Sequence, residues 1–374
     1  MDDGVVDFFN KLLGCQMPRV PLFMKLKDGG FGFGSAEMRG PAALLAAWEG
    51  GIQDIAEYTE HESWTTLQRA WPGLMKAIDG AEQHQQALSG SRPKASRWQA
   101  LVEGRQGTSQ KEYTAEARNT QLERLCSLQD PGAAAARNSA SGPSAGAWLE
   151  TSDGQDPVSD QTFGHGCRRR AHVPVLATAT KCCNVPKGQV GTSRFQCGKA
   201  VCVHGTHCQQ CPRGGGPTMR HDAIRNDLAK WIRDHLGVAA LTEQVIPEWW
   251  QRDEGDARLD VVYTGRSGRL CLDVSLVDSV HAALHGAGAA ATRARRERAK
   301  HVRYPSKELV PFVVDLNGRW GHEAETWLRK ALLALPAEDR VEARRNLRGT
   351  IARTLQHHLT SLMATATPNC GRSL

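Results

Sequence analysis

The chain has 374 residues, 40% hydrophobic and 23% charged, an ordinary balance for soluble globular protein with room for two or three domains. Its 47 Lys and Arg against 40 Asp and Glu leave +7 and a pI near 8.9, which permits an anionic partner without requiring one. No run approaches the ~18 uninterrupted apolar residues of a membrane span, and Met1-Asp2-Asp3 opens neither a basic n-region nor an apolar h-region, so an intracellular protein without a membrane partner is expected.

From the start to about residue 75, Gly29-Gly30-Phe31-Gly32-Phe33-Gly34-Ser35 reads as a turn, and Pro41 to Trp48 as a short helix. A glycine turn before a helix can hold phosphate, but no strand-like run precedes it and no Lys-Ser/Thr pair follows, so no nucleotide site is expected. Residues 76–145 are polar and rich in Gln, Ala, Ser and Gly, with helical stretches expected around Ala81 to Leu101 and Lys111 to Leu128. The stretch from Asp130 to Pro143 has the composition of a linker.

Arg168-Arg169-Arg170 then forms a basic entry to a cysteine-rich window. Of the 11 cysteines, Cys182, Cys183, Cys197, Cys202, Cys208 and Cys211 lie close together, which in a reducing compartment favours metal over disulfides. Cys197-x4-Cys202-x4-His207-x3-Cys211 supplies four ligands of the kind tetrahedral Zn²⁺ prefers. Cys182 or Cys183 can replace Cys202, and Cys208 competes; the alternative is a group of reduced thiols. With all four positions filled by protein, zinc would be structural.

Past Gly214-Gly215-Gly216 the pattern becomes regular. Ile224, Leu228, Trp231, Ile232 and Leu236 form an apolar helical stripe, with Thr218 as the expected N-cap and Gly237 as the stop. A strand from Ala239 to Ile246 carries Glu243. Two further β-branched runs, Arg258 to Thr264 and Arg269 to Val277, flank Gly265-Arg266-Ser267-Gly268 and read as a hairpin. If it closes symmetrically, Thr264 faces Arg269 and Asp260 stands opposite Asp273, with Cβ atoms about 4.5–5.5 Å apart. Like charges so placed repel unless a cation lies between them or one stays protonated. Oxygen ligands favour Mg²⁺ or Mn²⁺. The plainer alternative is a solvent-facing aspartate paired with Arg258 or Arg269.

The alanine-rich run from Ala287 to Tyr304 should be helical, and Arg293, Arg296, Lys300 and Arg303 then share one face. That face is either solvated or a grip for phosphate. A strand from Glu308 to Leu316 follows, with Pro311 marking an edge or a bulge. Helices from Gly321 to Leu335 and from about Ala337 to Met363 complete the order. The expected fold class is α/β: a small mixed sheet flanked by helices in the C-terminal half, preceded by a mostly helical, partly disordered N-terminal half.

Met17 to Trp48 resembles the region just past the polymerase core of non-LTR retrotransposon reverse transcriptases, and Gly142 to Leu149 resembles an element preceding their zinc-binding segment. No aromatic-x-Asp-Asp palm turn occurs, so no polymerase activity is expected. Arg220-His221-Asp222-Ala223-Ile224, Glu243, Arg258-Leu259-Asp260, Asp273 and Lys300-x2-Arg303-Tyr304 are similar to the restriction-like PD-(D/E)xK endonuclease of the same elements, over about residues 170–335. Leu259 stands at the proline of that pattern and Ser275 at its lysine, which the resemblance moves to Lys300.

The resemblance implies phosphodiester hydrolysis with Mg²⁺ or Mn²⁺ held by Asp260 and Asp273, Glu243 joining them, and Lys300 orienting water or offsetting charge. It implies DNA contacts from Arg220, His221, Arg293, Arg296 and Arg303; the plainer role for His221 is capping at a helix start. The implied partners are a DNA target and element RNA, and the implied location is nuclear. The corresponding division is a post-polymerase remnant over 1–75, a linker with short helices over 76–165, a zinc segment over 166–216, the nuclease over 217–336 and a C-terminal helix and tail over 337–374. Rival readings are a non-catalytic nucleic-acid-binding remnant with a structural zinc module, and a zinc-dependent adaptor.

Overall fold

The computed structural model describes residues 1–60, 63–90, 96–128, 130–150, 158–184, 196–249, 257–266 and 268–367. Contacts divide the chain into two units. The first comprises Met1–Phe9, Pro18–Met24 and Gly32–Gln129; the second comprises Asn10–Met17, Lys25–Phe31 and Asp130–Leu374.

The first unit is helical. Helix α1 (Ala36–Tyr58) starts at Ser35, whose side chain accepts from the Met38 N–H. Helix α2 (Pro72–Ser89) has proline in its first turn, and left-handed Gly90 ends it. Leu45 and Ile52 of α1 and Ile78 of α2 bury fully against Tyr113 of α3 (Gln110–Leu128). Burying each such aliphatic side chain contributes about 1.5–3 kcal/mol. Of the helical stretches expected, Lys111 to Leu128 is present as α3, whereas Ala81 to Leu101 is stopped at Gly90 and divided between α2 and a separate helix Ser96–Val102.

The second unit holds the sheet and the cysteine window. Its first helix, α4 (Pro131–Ala140), occupies the stretch with linker composition. Asp130 caps it through the Ala133 N–H at 2.9 Å, Pro131 presets its first turn, and Ala135, Ala136 and Ala140 are small enough to bury. Helix α5 (Asp160–Arg170) ends in Arg168, Arg169 and Arg170, and all three are buried. Their donors are spent internally: Arg170 on the carbonyls of Gly30, Ala145 and Leu26, and Arg169 on Leu316 O, Asn317, Gln209 and Gln356. Burial pushes both guanidinium groups down to about 10. The expected basic entry is therefore an internal brace.

A small ladder pairs β1 (Thr180–Lys181) with β2 (Ala200–Val201). Helix α6 (Gly216–Leu236) begins two residues before Thr218, after left-handed Gly215 and with Pro217 in its first turn; left-handed Gly237 stops it as expected. The mixed sheet follows, in the order β3 (Ala240–Val245), β4 (Arg258–Gly265), β5 (Gly268–Val277), β6 (Leu309–Asp315). The first three strands are antiparallel, and β6 runs parallel to β5. That parallel step crosses over through α7 (Ser279–Leu284) and the cationic α8 (Ala289–Arg303).

Pro311 lies in the edge strand β6, as expected. Leu316 N–H donates to Val277 O, while Asp315 N–H donates outward to Arg319 O, so the odd positions turn their N–H away from β5 and Pro311 costs the ladder nothing. Helices α6, α9 (His322–Leu332) and α10 (Arg340–Ala366) cover one face of the sheet, around Ile224, Leu228, Val261, Leu272, Phe312, Trp327 and Ile351. Helix α8 packs on the strands from the other side, where Arg293 meets Asp315 and Lys300 meets Asp273. The C-terminal half is thus α/β, a small mixed sheet flanked by helices. No described helix is long and apolar enough to cross a membrane.

Candidate functional site

The hairpin β4–β5 closes with Gly265 opposite Gly268, Thr264 opposite Arg269 and Val261 opposite Leu272. Gly268 has φ +106°, a conformation only glycine adopts freely. The pairing ends at Val261 and Leu272; Asp260 and Asp273 are the next residues on β4 and β5, near enough that Asp260 raises the proton affinity of Asp273. Both are buried, at 9% and 5% exposure. Burial pushes Asp273 above the usual carboxylate range; Lys300 pulls it back, and Asp260 adds repulsion.

Each aspartate has its own basic partner, and Asp260 has a backbone donor besides. Lys300 Nζ lies 2.8 Å from Asp273 Oδ1 and 2.7 Å from Oδ2, so the ammonium reaches both oxygens. Asp260 Oδ2 accepts the Val274 N–H at 2.6 Å and lies 3.3 Å from His221 Nε2. His221 Nε2 is also 3.2 Å from Val274 O. The bond to Asp260 raises the imidazole to about 9, against the opposing effect of burial.

The remaining residues of this constellation separate. Glu243 lies between the pairs Thr242–Val261 and Gln244–Leu259, itself unpaired and at φ +56°. Its carboxylate is 41% exposed, held by Arg225 and 3.7 Å from Arg258. It does not complete a three-acid group with Asp260 and Asp273. Arg220 is 2% exposed and donates to Gln209 O at 2.9 Å, and burial pushes it down to about 10. It braces the fold and is closed to an outside phosphate.

Arg293 is likewise internal: 3.0 Å from Asp315 Oδ2 and 2.8 Å from Asn138 Oδ1, because its turn of α8 lies over the end of β6. Further along the same helix the cations open outward. Arg296, Lys300 and Arg303 line a shallow concavity of ≈ 430 Å³ with Ala299 and Val302. The stripe of four cations thus divides into one structural arginine, one lysine paired with Asp273, and two exposed arginines.

A second cluster forms where β1 and β2 pair. Cys182 N–H donates to Lys199 O and Cys197 N–H to Asn184 O, which brings the two thiols beside each other; the short helix Thr206–Gln210 and Cys211 just beyond it close the group. Among the described residues, the one set of three or more Cys, His, Asp or Glu ligand atoms all within 4.8 Å of one another is Cys182, Cys197, His207 and Cys211. Cys182 Sγ is 3.7 Å from Cys211 Sγ, and Cys197 Sγ is 3.3 Å from His207 Nε2. Tetrahedral ligands at about 2.3 Å (S) and 2.0 Å (N) from zinc stand roughly 3.5–3.8 Å apart, so the group could hold a metal such as zinc. Burial holds His207 below its usual range, which favours the neutral imidazole a metal needs.

Cys182 takes the place expected for Cys202, whose sulfur lies against Thr206 Oγ1 at 3.4 Å outside the group. Cys183 and Cys208 are outside it as well. Cys182, Cys208 and Cys211 bury with Val175, Val201, Met363 and Ala366, so the cluster is packed on the end of α10. The signal for Cys182 was the pair of short β-prone runs around Cys182 and Cys197, which ligand spacing alone does not weigh.

No family model matches the chain, and no curated protein matches it. Two features had no signal in residue spacing: the ion pair between Arg293 and Asp315, and the hydroxyl of Ser275, which is 2% exposed and without a hydrogen-bonding partner among the described residues.

Proposed function

We propose that the second unit is a divalent-metal-dependent DNA endonuclease of the kind carried by non-LTR retrotransposons, hydrolysing phosphodiester bonds at a target site. The observation that carries the reading is the burial of Asp260 and Asp273, which follow the paired residues of the hairpin, with Lys300 gripping both Asp273 oxygens. Two desolvated carboxylates side by side are costly, and their persistence is explained when a cation is part of the working site. The donor set fits Mg²⁺ or Mn²⁺, which bind through one or two carboxylates and keep several waters. The unpartnered Ser275 hydroxyl nearby on β5 is consistent with a wet site.

A cation held by Asp260 and Asp273 would supply an activated water and neutralise non-bridging phosphate oxygens. The chain's own residues do the rest. Asp260 is fixed by Val274 N–H and His221, so its free oxygen needs no reorientation. Lys300 brings a charge to the place where negative charge develops, and its half-buried setting strengthens that effect. Arg296 and Arg303 flank Lys300 on the open concavity and would hold the nucleic-acid backbone, a contact that positions without reading sequence. Zinc in the Cys182, Cys197, His207 and Cys211 group would be structural, with no position open for water.

The rival reading, non-catalytic binding of nucleic acid, is favoured by one observation. His221 and Lys300 can balance both carboxylates with no metal present. Incubating the full chain with supercoiled plasmid and Mg²⁺ separates the two. The nuclease reading expects nicking that EDTA abolishes and that an Asp260→Ala, Asp273→Ala variant lacks. Binding without nicking supports the rival, and nicking unchanged in that variant removes the cutting from these two aspartates.

A further inference from the structure

Along β5, Leu272 and Val274 turn into the apolar core under α6, while Asp273 and Ser275 turn to the opposite side. Ser275 pairs with Val313 of the edge strand, so it lies between Asp273, opposite Pro311, and Val277, opposite Asp315. On α8 above this line, Lys300 engages Asp273 and Arg293 engages Asp315, and Glu297, one turn before Lys300, accepts the Glu323 N–H. Every polar side chain named here has an assigned partner except Ser275. Its residue is 2% exposed, and its Oγ has no hydrogen-bonding group among the described residues.

A hydroxyl carries one donor and two acceptor sites, and burying them unmet is penalised. A valine or alanine would fill this strand position without that penalty. Ser275 shares its side of the strand with Asp273 and is the adjacent residue on that side. Mg²⁺ and Mn²⁺ retain water when carboxylates bind them, and those waters need oriented partners in the surrounding shell.

We propose that Ser275 is a positioning residue of the Asp260–Asp273 site, its hydroxyl holding a water of the bound divalent cation beside Asp273. The proposal rests on the nuclease reading of the two aspartates. It assigns Ser275 a role toward the cation's hydration shell, separate from the charge that Lys300 provides.

The test is Mn²⁺ binding to the full chain, followed by loss of the free-ion paramagnetic signal, together with the thermal midpoint in EDTA. An Asp260→Asn, Asp273→Asn variant defines which binding belongs to this site. Ser275→Ala is expected to weaken that binding about 10–100-fold, the usual consequence of losing a partner in the surrounding shell. Its midpoint in EDTA is expected to equal or exceed that of the parent, because a hydroxyl with no protein partner has been removed. Unchanged Mn²⁺ affinity in Ser275→Ala overturns the inference and leaves the nuclease reading standing. A lowered midpoint in EDTA, including failure to fold, also overturns it, since the hydroxyl then has a partner within the protein. If the parent chain shows no Mn²⁺ binding that depends on Asp260 and Asp273, both the inference and the nuclease reading fall.

Discussion

Replacing Arg293 with leucine separates the structural and the nucleic-acid readings of the cationic helix. Arg293 and Asp315 have side chains 5% and 1% exposed, and Nη1 lies 3.0 Å from Oδ2. The second nitrogen donates to Asn138 Oδ1 at 2.8 Å. After the change, Asp315 keeps two neutral donors, the Ser279 hydroxyl and the Asn317 N–H, and a buried charge is left without its cation. Breaking one side of such a pair costs about 3–5 kcal/mol. Against a typical domain stability of about 5–15 kcal/mol, that is a large fraction of the whole. With an m-value of about 2 kcal/mol per M, the urea midpoint should fall by roughly 2 M.

The pH dependence has a definite sign. Burial raises Asp315 above the usual carboxylate range, and the charge of Arg293 opposes that rise. Without Arg293 the folded state binds the Asp315 proton still more tightly than the unfolded chain does, so the variant gains stability as pH falls. The deficit against the parent should therefore be smaller at pH 5 than at pH 8, and adding Asp315→Asn should recover part of it. Urea titrations followed by circular dichroism at both pH values measure this. A deficit below about 1 kcal/mol that does not change with pH is the value of an exposed pair, and it would return Arg293 to the open face with Arg296.

Three further outcomes are expected. Cys182→Ser should release bound zinc and lower the thermal midpoint, whereas Cys202→Ser should keep one zinc per chain by elemental analysis, because only the first sulfur belongs to the ligand group. His221 gains Asp260 on folding, which raises it from 6.5 to about 9; the stability this adds is complete below about pH 6.5 and lost as pH rises through about 9. Stability curves of His221→Phe should lack that alkaline slope, and an identical slope would contradict the pairing. For DNA affinity measured against salt, Arg296→Ala or Arg303→Ala should each reduce the slope of log K by about 0.9, the share of one phosphate contact. Unchanged slopes would remove both arginines from the proposed interface.

The site's hairpin was readable from residue order because its determinants are local. Gly265 and Gly268 fix the turn, and strand parity carries the pairing as far as Val261 and Leu272, the residues next to Asp260 and Asp273. Helical spacing put Lys300 on the cationic face, and the resemblance, not spacing, assigned it to the aspartates. Spacing groups Arg293 with Lys300 just as well, but it cannot say which strand residue lies beneath each turn, and that is what makes Arg293 internal. Arg168, Arg169, Arg170 and Arg220 misled for a related reason. Their partners are mostly carbonyls and neutral side chains from distant segments, so no acidic residue in the pattern announces their burial. Cys182 was missed as first choice because metal spacing weighs near neighbours, while the β1–β2 ladder brings it back to Cys197 across residues that spacing counts as too far. Helix α4 shows the same limit from the other side: alanine, proline and aspartate suit a linker or a capped helix, and packing decided for the helix.

The central claim is that the Asp260, Asp273 and Lys300 group cuts a phosphodiester. Single-turnover nicking by Lys300→Met with Mg²⁺, read beside its DNA affinity, tests it most directly. A rate about 10²–10³-fold below the parent with affinity nearly unchanged is expected, the loss that follows when a charge placed for the transition state is removed. A Lys300→Met protein that folds and nicks at the parent's rate would contradict it.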